Sequence, residues 1–514
     1  MSASLPIDSG VPVANRGMVT VSIMLATLMQ ALDTTIANVA LPHMQGSLSA
    51  SQDEITWVLT SYIVAAAIAM PLTGWLCARF GRKRIFLWSV AGFTVSSALC
   101  GLALSLPEIV LARLLQGVFG AALVPLSQAV LLDINPRERH GQAMAVWGMG
   151  IMLGPILGPV LGGWLTDNYG WRWVFYINLP VGIIAFLGIL AFVQETRKAD
   201  QKLDFFGFCT LGIAIGALQL LLDRGETKDW FSSPEIWIYA TLTLLGLTLF
   251  VAHTATVRGA SFLDRALLKD RNFVTGLFFI FLVGLILYAT MALLPQMLEN
   301  LMDYPVVATG LVTAPRGIGT MIAMMIVGPL IGRIDIRLIM AGGFGLTALS
   351  LAQMAGYTLT IGMSSVVWPG IIQGLGLGFI FVPLTTAAFS TLESHLRTEG
   401  TTIYSLVRNI GSSFGISIVQ TLLTENTQVA HSSLVQHINV YNPFIRAPYL
   451  PSPYGLHSSA GLAALNAEIT RQAGMIAYID DFKLMMIVAL LAMPFLLLIR
   501  VPKHAHAEES VVME

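Results

Sequence analysis

The sequence predicts an all-α integral membrane protein with fourteen transmembrane helices. Of its 514 residues, 55% are hydrophobic and 11% are charged, whereas soluble globular proteins carry about 25% charged residues. Apolar stretches of about 20 residues, the length that crosses a bilayer core as a helix, recur along the whole chain. Positive charges fall mainly in every second connection between these stretches. We therefore expect one membrane unit.

Polar residues, glycine and proline separate the apolar stretches and set the predicted ends of the spans. The first six predicted spans are 18–41, 55–77, 85–106, 108–132, 141–166 and 173–194. Two more follow at 205–222 and 236–256. The last six are 272–298, 306–331, 337–357, 364–391, 400–424 and 482–500.

The distribution of positive charge predicts the orientation of the chain. An even number of spans places both termini on one side, and nineteen of the 28 Lys and Arg residues fall on that side, against five on the other. The positive-inside rule therefore predicts cytoplasmic N- and C-termini. The first span begins near Met18 and is too long for a signal peptide, so we expect it to stay in the mature protein.

One connection on the opposite, outer side stands apart. Residues 425–480 are rich in Asn, Ser, Pro and His, and they predict a polar loop far longer than the other connections. Such a loop is either a surface insertion or a functional segment, namely a cap or a docking surface for a partner protein.

The chain repeats itself. Gln116-Gly117 in the fourth span matches Gln373-Gly374 in the twelfth, and Gly74 at the end of the second span matches Gly328 at the end of the tenth. This shift of eight spans predicts two six-helix bundles that flank an inserted pair. Parallel half-repeats are the layout of major facilitator transporters, whose substrate sites lie between the halves near the membrane midplane.

The repeat also predicts the domain boundaries. The N-terminal six-helix bundle is expected at 1–204, and the inserted helix pair with its linker at 205–271. The C-terminal six-helix bundle, with the long outer loop, is expected at 272–514.

The first span places a carboxylate, Asp33, among amide and hydroxyl side chains well inside an apolar helix. A charged group at membrane depth costs a few kcal/mol or more and is normally kept only where it faces a pathway or a partner. Asp33 is therefore a candidate for proton coupling or cation recognition, with a purely structural hydrogen bond as the alternative. Its neighbours Gln30, Thr34 and Asn38 are candidate cavity residues.

The fourth span carries a second buried charge, Arg113, followed by Gln116. The aligned position in the second half is Gly370, so the repeated helix packing does not require the charge. Arg113 either bonds backbone carbonyls between helices or favours proton release from a nearby carboxylate.

Two further segments combine unusual residue types. The fifth span spaces glycines by four, so that they line one helix face for close packing, while prolines bend it. Its residues are Gly150, Gly154, Pro155, Gly158, Pro159, Gly162 and Gly163. Between the second and third spans lies a tight basic turn. Its positive charges help to set the orientation of the chain in the membrane, and this explains them without any further role. Its candidate gating residues are Gly74, Arg79, Gly81 and Arg82.

These motifs together resemble the fourteen-span drug:proton antiporters of the major facilitator superfamily, the EmrB/QacA type, along essentially the full chain. The segment from Leu32 to Pro42 is similar to that family's first-span signature, and Arg113 to Gly117 to its fourth-span arginine motif. The glycines of the fifth span are similar to the antiporter motif, and Gly170 to Pro180 to the beginning of span six.

The resemblance implies export driven by protons across a bacterial inner membrane, with a periplasmic adaptor and an outer-membrane channel as partners of EmrB-like pumps. The proton is the coupling ion, and no other cofactor is expected. The loop after the second span departs from the superfamily pattern. Ala78 stands where an acidic residue usually precedes the arginine, and this puts the charge contact of the gating turn in question.

Two more arginines in apolar spans, Arg316 and Arg408, are candidate cavity residues that would suit an anionic group of a substrate, with snorkelling to an interface as the alternative. We expect small amphipathic substrates and surrounding lipid. A dedicated exporter of one metabolite or fatty acid is the runner-up. An enzyme, a receptor or a nucleic-acid-binding protein is disfavoured, because we find no nucleotide loop, no metal-ligand spacing and no large soluble segment.

Overall fold

The computed structural model of the protein describes residues 15–196, 202–257, 262–439, 442, 454–455 and 458–500. Apart from an isolated bridge between Ile331 and Ile334, these residues contain helices and no β-structure. The N-terminal helices are α1 (Arg16–Ser47), α2 (Gln52–Ile55), α3 (Trp57–Ala69), α4 (Leu72–Phe80), α5 (Arg82–Leu102), α6 (Leu106–Gly120), α7 (Leu123–Ile134), α8 (His140–Tyr169), α9 (Trp173–Tyr176) and α10 (Asn178–Phe192).

The predicted inserted pair consists of α11 (Phe205–Arg224) and α12 (Pro234–Thr256). The remaining helices are α13 (Arg265–Lys269), α14 (Arg271–Met302), α15 (Val306–Thr313), α16 (Pro315–Leu330), α17 (Ile336–Met354), α18 (Met363–Ser390), α19 (Arg397–Val435) and α20 (Ser459–Ala492). We call the side on which α1 begins the basic face and the opposite side the far face.

The described helices account for each predicted span. Twelve segments are long and apolar enough to cross a membrane, and a thirteenth is formed by α3 and α4, which meet at a bend of 55°. Pro71 lies at this bend, where its ring interrupts the helical hydrogen bonds. The remaining predicted span, the thirteenth along the chain, corresponds to α19, which is more polar than the other helices. The chain is a multi-pass membrane protein with an all-α fold.

The prediction of a long polar loop at 425–480 is wrong over most of its length. Helix α19 continues to Val435 and α20 already begins at Ser459, so the predicted last span at 482–500 is only the end of a longer helix. Polar residues end an apolar window without ending a helix. Part of the predicted loop, at 440–441, 443–453 and 456–457, and both chain termini lie outside the described residues.

The predicted repeat is visible in helix packing. A Cβ atom added to Gly117 would meet the backbone carbonyl of Tyr62 and, at 3.1 Å, the nitrogen of Ala66. A Cβ atom added to Gly374 would likewise meet the carbonyl of Arg316 and, at 2.9 Å, the nitrogen of Thr320. These contacts are therefore equivalent in the two halves, with α6 on α3 and α18 on α16 in the same register. The division of the chain at 204 and 271 stays a prediction.

The inserted pair packs across the seam between the halves. On one side of α11, the carboxylate of Asp223 accepts a hydrogen bond from the Thr60 hydroxyl of α3. On the other side, the Gln219 amide donates to the Ser413 hydroxyl of α19 at 2.7 Å. Helix α11 therefore contacts both halves.

A carboxylate outside the spans fixes the start of α11. Asp204 accepts hydrogen bonds from the Gly207 nitrogen at 2.9 Å and from His253 of α12 at 2.9 Å. Burial acts to raise the pKa of Asp204, but these hydrogen bonds outweigh it and hold the pKa below its ordinary value of 3.8. Because the folded-state pKa is lowered, this contribution to stability is present at neutral pH and is lost only as pH falls below that ordinary value.

We expect Gly117→Ala to destabilise the protein, because the new methyl group would collide with a backbone carbonyl that cannot rotate away. Overpacking of this kind costs about 1–3 kcal/mol. The matched control is Gly342→Ala, since a Cβ at Gly342 in α17 meets nothing within 4 Å. Thermal unfolding of the purified protein in detergent measures both variants. Equal melting temperatures for the two variants would contradict the close approach.

Candidate functional site

A buried ion pair lies inside the N-terminal half. The Arg113 guanidinium of α6 donates through Nη1 to Oδ2 of Asp33 in α1 at 2.7 Å. The side chains are 1% and 0% exposed, respectively. The two residues that the sequence singled out as buried charges are thus in direct contact, and the surrounding helices exclude solvent from both.

Amide side chains complete the coordination of Asp33. Its Oδ1 accepts hydrogen bonds from Nε2 of Gln116 and from Nδ2 of Asn178, both at 2.8 Å. Asn178 is held in place by Ser97, whose hydroxyl accepts from the same amide at 3.0 Å and donates to the Phe175 carbonyl at 2.9 Å. Every oxygen of the carboxylate therefore has a donor, as a buried charge requires.

Asn178 and Ser97 are site residues that the sequence pattern did not predict. Both are fully or almost fully buried, with exposed fractions of 1% and 0%. Asn178 stands in the motif at the start of the sixth span, so a polar amide in an apolar segment was its available signal. A lone serine such as Ser97 gives no comparable signal, because serines are common in transmembrane helices.

The guanidinium of Arg113 is satisfied on its other sides as well. Its Nε donates to the Val58 carbonyl of α3 at 3.0 Å, and Nη1 also lies 2.9 Å from Oε1 of Gln116. The ring of Tyr62 lies 4.5 Å and that of Phe175 5.6 Å from its central carbon. These aromatic faces stabilise a cation by their quadrupoles. The pair therefore joins α1, α3, α6, α9 and the start of α10.

Two other candidate residues of α1 bond to their own helix rather than to this network. Thr34 donates to the Ala31 carbonyl of its own helix at 3.0 Å, and Asn38 donates to the Thr34 carbonyl at 3.3 Å. Gln30 lies one turn before Asp33 on the same helix and is partly buried.

The glycines of α8 lie against α1, next to the ion pair. A Cβ on Gly154 would meet Ala31, one on Gly158 would meet Thr35, and one on Gly162 would lie 3.4 Å from Ile36. The fourth glycine of this face, Gly150, faces Met24. The predicted close approach through one glycine face is therefore present.

The opposite side of α8 faces the C-terminal half. Pro159 lies 3.4 Å from the Cβ position of Gly310 in α15, and Gly163 lies with its Cβ position 3.8 Å from Val307. Pro155 lies inside α8 one turn before Pro159. Helix α8 is thus packed between the helix that carries Asp33 and the other half of the protein.

The basic turn between α4 and α5 is held at the basic face. Gly81 has φ 93°, a conformation that favours glycine. Arg82 pairs with Asp133 at the end of α7, and Asp133 also accepts from Arg397 of α19 at 2.9 Å. Arg82 further donates to Thr398 at 2.7 Å. Ala78 stands where the turn usually carries an acidic residue. Asp133 supplies a carboxylate nearby and links the two halves.

The remaining turn residues lie beside this cluster. Gly74 is close to α19, because its Cβ position is 3.5 Å from Cβ of Glu399. Arg79 is the basic residue in the last turn of α4.

The C-terminal half has less complete polar bonding. Arg316 donates to the Leu287 carbonyl at 3.4 Å, and its buried Nε has no hydrogen-bond partner in the described chain. The same holds for Nε of Arg408 in α19. Asp481 of α20 is fully buried, and neither of its oxygens has a hydrogen-bond partner among the described residues. Asp481 was not predicted from the sequence pattern.

Comparison with known proteins identifies the family. Residues 23–416 match the family model described as Major Facilitator Superfamily. The chain belongs to the major facilitator superfamily. It is 37% identical over 434 residues to the multidrug export protein EmrB of Escherichia coli K12, covering 84% of each chain.

Further similarities agree with this membership of the major facilitator superfamily. The chain is 34% identical to the fatty acid resistance protein FarB of Neisseria gonorrhoeae, over 95% of this chain and 96% of FarB. The crystal structure of the human organic anion transporter MFSD10 (TETRAN) superposes with a TM-score of 0.60 at 16% identity, covering 92% of this chain and 99% of that one. The chain is therefore an EmrB-like transporter rather than an enzyme, with the major facilitator fold.

We expect the Asp33–Arg113 pair to show strong energetic coupling. Arg113→Gln leaves a buried carboxylate without its cation, which costs about 3–5 kcal/mol. The double variant Asp33→Asn/Arg113→Gln removes both charges and should be more stable than Arg113→Gln alone. Chemical or thermal unfolding in detergent measures this difference. A double variant no more stable than the single one would show that the two charges do not stabilise each other.

Proposed function

We propose that this protein is a proton-driven multidrug exporter that moves amphipathic molecules out of the cell by alternating access. The observation that carries the proposal is the fully buried Asp33–Arg113 pair beside the glycine face of α8. Its similarity to EmrB, a multidrug export protein, supports export as the direction of transport.

Binding of one proton at the Asp33–Arg113 pair would change the electrostatic attraction between the two side chains. When a proton binds an oxygen of Asp33, the carboxyl group becomes neutral and the attraction to Arg113 is lost. Arginine remains charged at any physiological pH. It is then a buried cation without a counter-ion, held by the Val58 carbonyl and two aromatic rings. This arrangement favours a different packing of α1 against α6.

The packing of α1 is coupled to the seam between the halves through α8. One face of α8 contacts α1 at Gly154 and Gly158, and another contacts α15 at Pro159. A shift of α1 therefore displaces α8 and changes its contact with the C-terminal half. The cluster of Arg82, Asp133 and Arg397 joins the halves at the basic face, so it has to separate when that face opens.

We place the basic face in the cytoplasm and the protein in a bacterial inner membrane. The excess of Lys and Arg on this side supports the orientation by the positive-inside rule. The proton is the coupling ion, and the proposal needs no metal or organic cofactor.

The alternative is an exporter dedicated to a single metabolite or fatty acid. FarB, a fatty acid resistance protein, is similar over almost the full chain. The incompletely bonded arginines Arg316 and Arg408 suit an acidic cargo. A panel of toxic compounds, tested for resistance with and without an uncoupler, separates a broad exporter from a dedicated one.

We also propose that the far face binds a periplasmic adaptor, which connects the transporter to an outer-membrane channel. Helix α19 has 39 residues and is about 58 Å long at about 1.5 Å per residue, whereas a bilayer core is about 30 Å thick. It pairs with α20 beyond the predicted span, where His431 lies 3.0 Å from Asn466. We call this projecting pair, residues 425–435 and 459–475, the far-face hairpin. It supplies a helical surface for a partner.

We expect Asp33→Asn to abolish proton-driven export while the protein still folds. Asparagine keeps the shape and one acceptor oxygen, but it cannot take up and release a proton. Proteoliposomes with an imposed pH gradient and a fluorescent amphipathic dye measure transport, and size-exclusion chromatography checks folding. The control is Glu393→Gln, which changes an exposed carboxylate whose side chain is 76% exposed. Undiminished transport by the folded Asp33→Asn protein would remove Asp33 from the coupling step.

We expect the far-face hairpin to crosslink to a membrane-anchored adaptor protein in the native host. A photoreactive residue is placed at Val429 or Leu462, which are 66% and 48% exposed. The control position is Leu244 in α12, which is 67% exposed within a predicted span. Mass spectrometry identifies the captured protein. Capture of no adaptor at either hairpin position would contradict the docking role.

A further inference from the structure

The C-terminal half contains a counterpart of the Asp33–Arg113 site in which the carboxylate is absent. Gln116 donates to Asp33 Oδ1 at 2.8 Å, and the matching Gln373 donates to the Thr290 hydroxyl of α14 at 3.1 Å. Thr290 therefore occupies, in the second half, the place of Asp33 in the first. A hydroxyl at this place carries no charge.

A cation is present in both sites, but it comes from different helices. In the first half Arg113 lies on α6 and reaches over Tyr62 of α3. In the second half Gly370 stands in place of Arg113, and Arg316 of α16 takes the position of Tyr62. The Cβ position of Gly370 lies 3.8 Å from Cβ of Arg316. The C-terminal site thus keeps an arginine, and no carboxylate among the described residues pairs with it.

The hydrogen-bonding groups at this site are incompletely used. A guanidinium has five N–H donors, and in the described chain the Arg316 side chain makes one hydrogen bond, a long one of 3.4 Å to the Leu287 carbonyl. Its Nε and Oε1 of Gln373 are buried without partners among the described residues. Leaving buried polar groups unpaired costs about 1–3 kcal/mol each. A ligand that supplies acceptors to Arg316 recovers this cost.

Arg316 lies at the seam between the halves. Arg316 is partly exposed, whereas Arg113 is sealed at 1% exposure. The next residue, Gly317, faces Ile156 of α8, which belongs to the other half. Ile156 therefore places an apolar side chain of the other half beside Gly317, the residue that follows Arg316. Arg316 lies about ten residues into the span that begins at residue 306, close to the membrane midplane, where transporters of this architecture bind their substrates.

We propose that Arg316 binds the carboxylate head group of an amphipathic acid, with the apolar tail of the ligand along the seam. The carboxylate takes the place that the Asp33 side chain fills in the first half, and the planar guanidinium matches two carboxylate oxygens. This inference rests on the proposed export function and names one class of its substrates.

The test compares two ligands that share a tail and differ in head-group charge, decanoate and decyltrimethylammonium. Binding to the full-length protein in lipid nanodiscs is measured by titration calorimetry for the wild type, Arg316→Gln and Arg316→Lys. We expect Arg316→Gln to weaken decanoate binding by about tenfold to a hundredfold, the worth of a charge-assisted hydrogen bond. The decanoate affinity of Arg316→Lys should fall between those of the wild type and Arg316→Gln. Lysine keeps the positive charge but loses the planar guanidinium that bonds two carboxylate oxygens.

The control variant is Arg333→Gln, an exposed arginine on the basic face. Decanoate binding should be unchanged in this variant, and decyltrimethylammonium binding should not weaken in Arg316→Gln. Unchanged decanoate binding in Arg316→Gln would overturn the inference. An equal loss for both ligands would also overturn it and would make Arg316 structural. If Arg316→Gln does not fold, the result for Arg316→Lys decides, and affinity equal to that of the wild type overturns the fork contact.

The outcome is distinguishable from failure of the proposed function. Proteoliposomes containing the wild-type protein are tested for extrusion of both ligands under a pH gradient. Proton-driven extrusion of decyltrimethylammonium without binding of decanoate would preserve the export function and overturn the anionic site. Extrusion of neither ligand, together with decanoate binding that depends on Arg316, would support the site and count against proton-driven export.

Discussion

The cost of placing a charge in the membrane governs the N-terminal half of this transporter. Asp33 and Arg113 are both sealed from solvent, so each needs a partner of opposite charge and further hydrogen bonds. Gln116 and Asn178 supply donors to the carboxylate, while the Val58 carbonyl and two aromatic rings surround the guanidinium. Five segments of the bundle therefore have to pack in one arrangement to satisfy one ion pair.

Helix α8 connects the packing around this ion pair to the other half of the protein. Glycines at a spacing of four bring α8 against α1 without intervening side chains, and interiors packed this closely transmit displacement rather than absorbing it. The same helix contacts α15 twice, with Pro159 next to Gly310 and Gly163 next to Val307. At the basic face, Asp133 bonds one arginine from each half. The Asp33–Arg113 pair and the contact between the halves are therefore parts of one connected packing.

The two halves share a scaffold and differ in their polar side chains. Gly117 and Gly374 make equivalent backbone approaches, and Gln116 and Gln373 point to equivalent positions on α1 and α14. In the first half the site is filled by protein groups alone. In the second half a threonine replaces the carboxylate and an arginine is left incompletely bonded. We propose that the repeated scaffold is divided between two roles, with proton binding in the first half and ligand binding in the second.

The sequence by itself determined the spans, the repeat, the glycine face of α8 and the buried charges Asp33 and Arg113, because apolar length and helical periodicity are local properties of the chain. It did not determine that Asn178 and Ser97 complete the site, that Asp133 bonds Arg397, or that Thr290 stands opposite Gln373. It also mistook the helical residues at 425–435 and 459–480 for loop. These features depend on how helices distant in sequence rotate and pack against one another, and on how far a helix continues into water. Tertiary structure alone decides both.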